Sequence, residues 1–122
     1  VDNVMRTHCF KTCIAICHSN DYNRENAHFH TVEVGAYVKY HNPESDLKVV
    51  EEVKNIVDSC YAPFEEAYLN DMEGFEKEIS IEYLGEVMFY KLNQVLDDSG
   101  MFLEKLEIGE TPLRTYIVTR TV

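Results

Sequence analysis

Two long stretches of period-two hydrophobicity, set one after the other near the N-terminus, constrain this chain more than anything else in it. From about Val4 to His18, the residues Phe10, Thr12, Ile14, Ile16 and His18 fall on one face. From His28 to about Tyr40, His28, His30, Val32, Val34, Ala36 and Val38 do the same, because side chains alternate across a strand. Residues 19–27 between them are polar and rich in turn formers. Two long strands joined by such a loop predict an antiparallel hairpin.

The periodicity then changes. His41-Asn42-Pro43-Glu44-Ser45 breaks the second strand, and Asp46 is placed to cap a helix. Its apolar stripe is Val49, Val50, Val53, Ile56, Val57 and Cys60, with Glu51, Glu52, Lys54 and Asn55 on the wet side. Residues 61–79 read as a long irregular connection, of the kind that often carries function. Ser80 caps a second helix running to about Leu96, striped by Ile81, Leu84, Met88, Leu92 and Val95 and ended by Asp97-Asp98-Ser99-Gly100. Two further strands, about 101–110 and 113–121, turn at Thr111-Pro112. The order ββααββ predicts an α+β fold, a four-stranded antiparallel sheet with two helices on one face. Residues 1–122 are expected to form a single domain, with no repeat or linker.

Charge and cysteine content limit the partners. A net charge of −11 argues against nucleic acid and anionic membranes, which need clustered Lys and Arg. It leaves room for a phosphorylated small molecule, which needs only a few local cations. No apolar run has the length of a membrane span, and no cleavable signal pattern is visible. The chain opens on Val1 rather than methionine, so a short preceding segment is expected to be missing. Cys9, Cys13 and Cys17 share one strand face at a spacing that cannot be bridged, and with Cys60 they read as reduced thiols in a cytoplasmic protein.

The chemistry concentrates where the second strand begins. His28 and His30 point to one side of a strand, and His18 ends the strand beside it. Three neutral imidazoles with an open fourth position are a zinc arrangement of the catalytic kind. Glu25, three residues before His28, would lie near a metal-bound substrate. A cupin-like metal enzyme using His-x-His with Glu33 or another carboxylate is an alternative, although two helices in mid-chain count against it.

With these pieces in order, the sequence resembles the 6-pyruvoyltetrahydropterin synthase and 6-carboxytetrahydropterin synthase family over about Phe10 to Tyr116. His18, His28 and His30 match the family's three zinc histidines, with Phe29 replacing the glycine of its His-Gly-His. Leu69-Asn70 matches a Leu-Asn, Ile79-Ser80-Ile81-Glu82 echoes a Pro-Thr-x-Glu helix start, and Glu110-Thr111 matches the Glu-Thr that anchors the pterin ring. The resemblance implies the tunnelling fold, zinc, and a homohexamer built as a dimer of trimers with active sites between subunits. It also implies lyase chemistry on the side chain of 7,8-dihydroneopterin triphosphate, in folate or queuosine biosynthesis.

Two departures bear on activity. The family's nucleophilic cysteine falls on Arg24; one subgroup uses a glutamate three residues before the His-Gly-His instead, and Glu25 fits it. The family's Asp-His proton relay falls on Glu65-Glu66, which leaves Glu66 as its only stand-in. The expected roles are therefore Glu25 and Glu66 in catalysis, Glu110 and Thr111 on the substrate, and the three histidines on zinc. A non-catalytic relative that binds a pterin or purine is the other reading.

Overall fold

The computed structural model describes residues 6–40, 47–76 and 79–120. Strand β1 (Arg6–His18) pairs antiparallel with β2 (His28–Tyr40), which leads into helix α1 (Leu47–Tyr61). Helix α2 (Ile81–Asp98), strand β3 (Phe102–Thr111) and strand β4 (Arg114–Thr119) complete the chain. The four strands form one antiparallel sheet in the order β1-β2-β3-β4, the ββααββ architecture of the tunnelling fold. No helix among the described residues is long and apolar enough to cross a membrane.

The core lies between the helices and one sheet face. Ile14, Ile16, Val32, Val34, Ala36 and Val38 face inward as their alternation dictates, joined by Leu103, Leu106 and Ile108 of β3. The helices meet them with Val53, Val57, Leu84, Met88 and Leu92. Each of these Val, Leu, Ile and Met side chains contributes roughly 1.5–3 kcal/mol relative to exposure.

Several boundaries differ from expectation. The proposed Asp46 cap lies outside the described residues. In α2, Leu96 is buried while Val95 is 44% exposed, because the face of Met88 and Leu92 continues by steps of four. That helix ends two residues later than expected, where Gly100 at φ 75° donates to the Asp97 carbonyl and Met101 to that of Leu96. The last turn is at Pro112-Leu113, one residue beyond the expected pair.

The connection between the helices is more ordered than its sequence suggested. It makes two short 3₁₀ turns, Ala62–Phe64 and Leu69–Asp71, and buries Phe64, Leu69 and Phe75. It also runs along the outer edge of β1, where Glu66 N–H donates to the Ala15 carbonyl (2.7 Å) and Cys17 N–H to that of Ala67 (3.3 Å). The helix-free face carries charged and polar groups beside its cysteines. Cys9 and Cys13 are exposed, but Lys11 pairs with Glu33 (4.0 Å), Lys105 with Glu107 (3.7 Å), and Tyr37 donates to Glu107 (3.1 Å). All four cysteines are free thiols.

Gly85 lets α2 approach β3. A Cβ there would lie 2.8 Å from Cγ2 of Ile108, a stiff, fully buried β-branched side chain. Alanine would gain about 1 kcal/mol in helix propensity, against ~1–3 kcal/mol for overpacking. Gly85→Ala is therefore expected to lower stability by up to about 2 kcal/mol in urea unfolding; a raised midpoint would refute this packing argument.

Candidate metal centre and cavity

The β1–β2 register builds the centre. His18 lies opposite His28 and Ile16 opposite His30, so all three imidazoles occupy the core-side face just past the last core residues. Their ring centroids are 4.6–5.1 Å apart. One nitrogen from each ring falls within 4.8 Å of the others, so small rotations would let one ion with ~2.0–2.1 Å Zn–N bonds reach all three.

His18 is buried, and both of its ring nitrogens lack a hydrogen-bond partner. Such orphaned polar atoms are costly unless something outside the protein satisfies them. His28 Nδ1 lies 3.2 Å from the Asn26 carbonyl oxygen, which can only accept. The tautomer with a proton on Nδ1 completes that bond and leaves Nε2 as the lone pair. His30 Nδ1 lies 3.6 Å from Glu110 Oε1, beyond hydrogen-bond length, so the carboxylate is near without being consumed. The donor set and its orientation fit zinc.

A cramped polar clamp holds this end of β1. Asn70 accepts from Ser19 N–H (2.9 Å) and donates to the Ser19 carbonyl (2.8 Å), fixing the residue after His18. Asp21 gathers the loop by accepting from Ser19 Oγ (2.9 Å), Asn23 N–H (3.0 Å) and Asn26 Nδ2 (2.6 Å). These bonds hold the Asp21 carboxyl below its ordinary range, the Asn23 backbone bond most of all.

The histidines open into a cavity of about 620 Å³, within the usual span for small-molecule sites. Glu110 and Thr111 line it, as expected, and so do Ile79, Ser80, Ile81 and Glu82 at the start of α2. Ser80 caps that helix by accepting from Tyr83 N–H (3.1 Å). Gly109 has no room for a side chain, since a Cβ would lie 2.6 Å from the Arg114 carbonyl oxygen. Asn20, Arg114 and Tyr116 also line the cavity and went unnoticed in the sequence; only the alternation of β4 hinted at Tyr116.

Other expected residues stand elsewhere. Glu25 is exposed on the 3₁₀ turn Arg24–Asn26, and neither it nor Glu66 lines the cavity. Glu66 is exposed at φ 60°, and the Glu65 carboxylate instead accepts from Ala15 N–H at 3.2 Å. Arg24, where the family places a nucleophile, pairs with Asp71 (2.8 Å) and lies 4.7 Å over the Tyr68 ring. Glu33 points to the opposite sheet face and pairs with Lys11, so the cupin-like set His-x-His with Glu33 does not assemble.

Comparisons with known proteins agree with this architecture. A family description, 6-pyruvoyl tetrahydropterin synthase, matches residues 4–121. Among solved structures, Caenorhabditis elegans 6-pyruvoyl tetrahydropterin synthase superposes with a TM-score of 0.74 at 18% identity, covering 97% of each chain. The Plasmodium falciparum enzyme of that name gives 0.58 at 14% identity, with 98% of this chain and 100% of that one covered. A Plasmodium vivax 6-pyruvoyltetrahydropterin synthase in which a catalytic glutamate is replaced by alanine gives 0.56 at 11%, with the same coverage. At these identities the likeness speaks for the fold alone. No curated protein matches the chain.

Burial first, then the His28 and His30 charges, pull the His18 imidazole below its ordinary 6.5, while Glu110 opposes weakly. A lowered folded value means the unfolded chain binds that proton more readily, so metal-free protein loses stability as pH falls below 6.5. NMR titration of the metal-free protein should show His18 protonating below that value, and His18→Gln should flatten the loss. A normal or raised His18 value would contradict this account of its burial.

Proposed function

Since this chain belongs to the 6-pyruvoyl tetrahydropterin synthase family, we propose that it is a zinc-dependent lyase acting on the side chain of 7,8-dihydroneopterin triphosphate. The observation that carries the reading is His18, buried with both ring nitrogens unpartnered beside His28 and His30, at the wall of a cavity that Glu110 also lines. His18, His28 and His30 would hold the zinc. When bound, zinc polarises substrate oxygens and makes neighbouring carbon and hydroxyl protons more acidic.

The remaining work falls to the chain itself. Glu110 accepts two hydrogen bonds from the amino and ring N–H groups of the pterin, and Thr111 borders it. Glu25 takes the proton as general base from the loop preceding His28. Pyruvoyl, carboxy and hydroxymethyl products differ in which side-chain bonds break, carbon–oxygen or carbon–carbon. The unbridgeable thiols of β1 favour a cytoplasmic setting.

A second reading has an observation of its own. Within one chain, Glu25 and Glu66 both stay outside the cavity, as in a pterin-binding relative that no longer turns over. One set of assays separates the two. Purified protein is expected to take up about one zinc per chain, lost in His28→Ala, and to consume 7,8-dihydroneopterin triphosphate. Glu25→Gln should cut turnover roughly 10²–10⁴-fold with pterin binding little changed, whereas Glu110→Ala should weaken binding first. Absence of zinc uptake sinks the metal reading; pterin binding with wild-type turnover at background, no faster than Glu25→Gln, leaves only the binding module, and equal turnover above background removes Glu25 as the base.

Assembly completes the proposal. Phe29 is 65% and Leu113 95% exposed, both close in sequence to site residues, and the sheet has edges at β1 and β4. We expect a hexamer of two stacked trimers with sites between subunits. Light scattering is expected to give six chains, or three at the least; a stable monomer at micromolar concentration would refute it.

A further inference from the structure

The cavity wall carries one residue that neither the metal centre nor the ring-anchoring role absorbs. Arg114 opens β4, opposite Thr111 in the β3–β4 register, and lines the cavity on the side of Glu110. Six of the described lysines and arginines are in ion pairs with carboxylates. Lys91 lies over the Phe64 ring, and Arg6 and Lys48 are engaged too. Among the described residues, Arg114 is therefore the one cation without a partner, in a chain of net charge −11 where carboxylates are plentiful. Among the described residues it is also the only Lys or Arg lining this cavity, beside two carboxylates, Glu82 and Glu110.

We propose that Arg114 selects ligands that carry an oxyanion, a phosphate ester or a carboxylate, away from the ring that Glu110 holds. Carboxylates lining a cavity repel an incoming anion, and a cation among them offsets that repulsion. A guanidinium offers five N–H donors in a planar fork that fits phosphate and carboxylate alike, and it has no acceptor for ring N–H groups. Glu110 and Arg114 thus divide the ligand, the carboxylate taking donors and the guanidinium taking acceptors. The ring half of this division rests on the pterin reading, while the oxyanion half rests on Arg114 alone.

The test compares wild type, Arg114→Ala and Arg114→Lys by calorimetry, with circular dichroism confirming that each folds. The ligands are neutral pterin, 6-carboxypterin, 7,8-dihydroneopterin triphosphate and, on metal-free protein, inorganic pyrophosphate. Arg114→Ala is expected to lose about 10- to 100-fold in affinity for the charged ligands while neutral pterin changes by no more than about twofold, with Arg114→Lys in between. A loss confined to the triphosphate identifies a phosphate ester, and one that includes 6-carboxypterin extends the site to carboxylates. Equal loss for neutral and charged pterins would place Arg114 on the ring carbonyl and overturn the proposal, as would no loss at all. If wild type binds none of the pterins, the pterin reading fails and pyrophosphate decides. Binding that Arg114→Ala abolishes then supports the oxyanion site, and binding that is absent or unaltered overturns it.

Discussion

Everything at the site depends on the register between β1 and β2. With His18 opposite His28 and Ile16 opposite His30, three imidazoles continue the inward-facing row that supplies the core. A slip of one residue would turn every side chain of one strand to the other face. It would expose Val32, Val34 and Val38 and scatter the histidines across both sides of the sheet. The register is held because the same row that makes the site also buries the core, and the core's apolar area outweighs any gain at the histidines alone. Stability and chemistry share one alternation.

The connection between the helices acts on the same row from outside. Its backbone bonds to Ala15 and Cys17 close the β1 edge beside the histidines, and Asn70 grips Ser19 from both sides. The Leu69-Asn70 pair is thereby explained by position. Leu69 is buried as the anchor, and Asn70 uses its amide as both donor and acceptor to end β1 directly after His18. Arg24 is held by Asp71 of the same segment. The loop carrying Glu25 is thus tied to its surroundings at Ser19, Tyr22 and Arg24.

The cavity keeps its charges apart by environment. His18 is buried and held neutral, the form a metal requires. Glu110 stays near His30 without a hydrogen bond to it, and Arg114 stands apart from both. The helix α2 start adds Glu82 and the Ser80 cap to the opposite wall. Donor-only, acceptor-only and neutral-ligand groups are therefore presented to one cavity from five elements, the four strands and α2.

The strands, the helices and their order were legible in the sequence because each has a periodicity that only one secondary structure satisfies. The three histidines were legible for the same reason, since parity along two strands puts them on one face before any folding is known. Glu110 and Thr111 could be named only by resemblance, as nothing local marks a hairpin residue as a cavity residue. What tertiary structure alone decided was which side chains meet across elements. Val95 and Leu96 differ in burial because α2 meets the sheet along one line, and Glu25 and Glu66 fall outside the cavity through loop geometry that no periodicity encodes. Arg114 looked like any exposed strand residue, because its lack of a partner is a property of all the other cations and carboxylates in the folded chain. Alternation and spacing are written in the order of residues, whereas isolation and convergence exist only once the chain is packed.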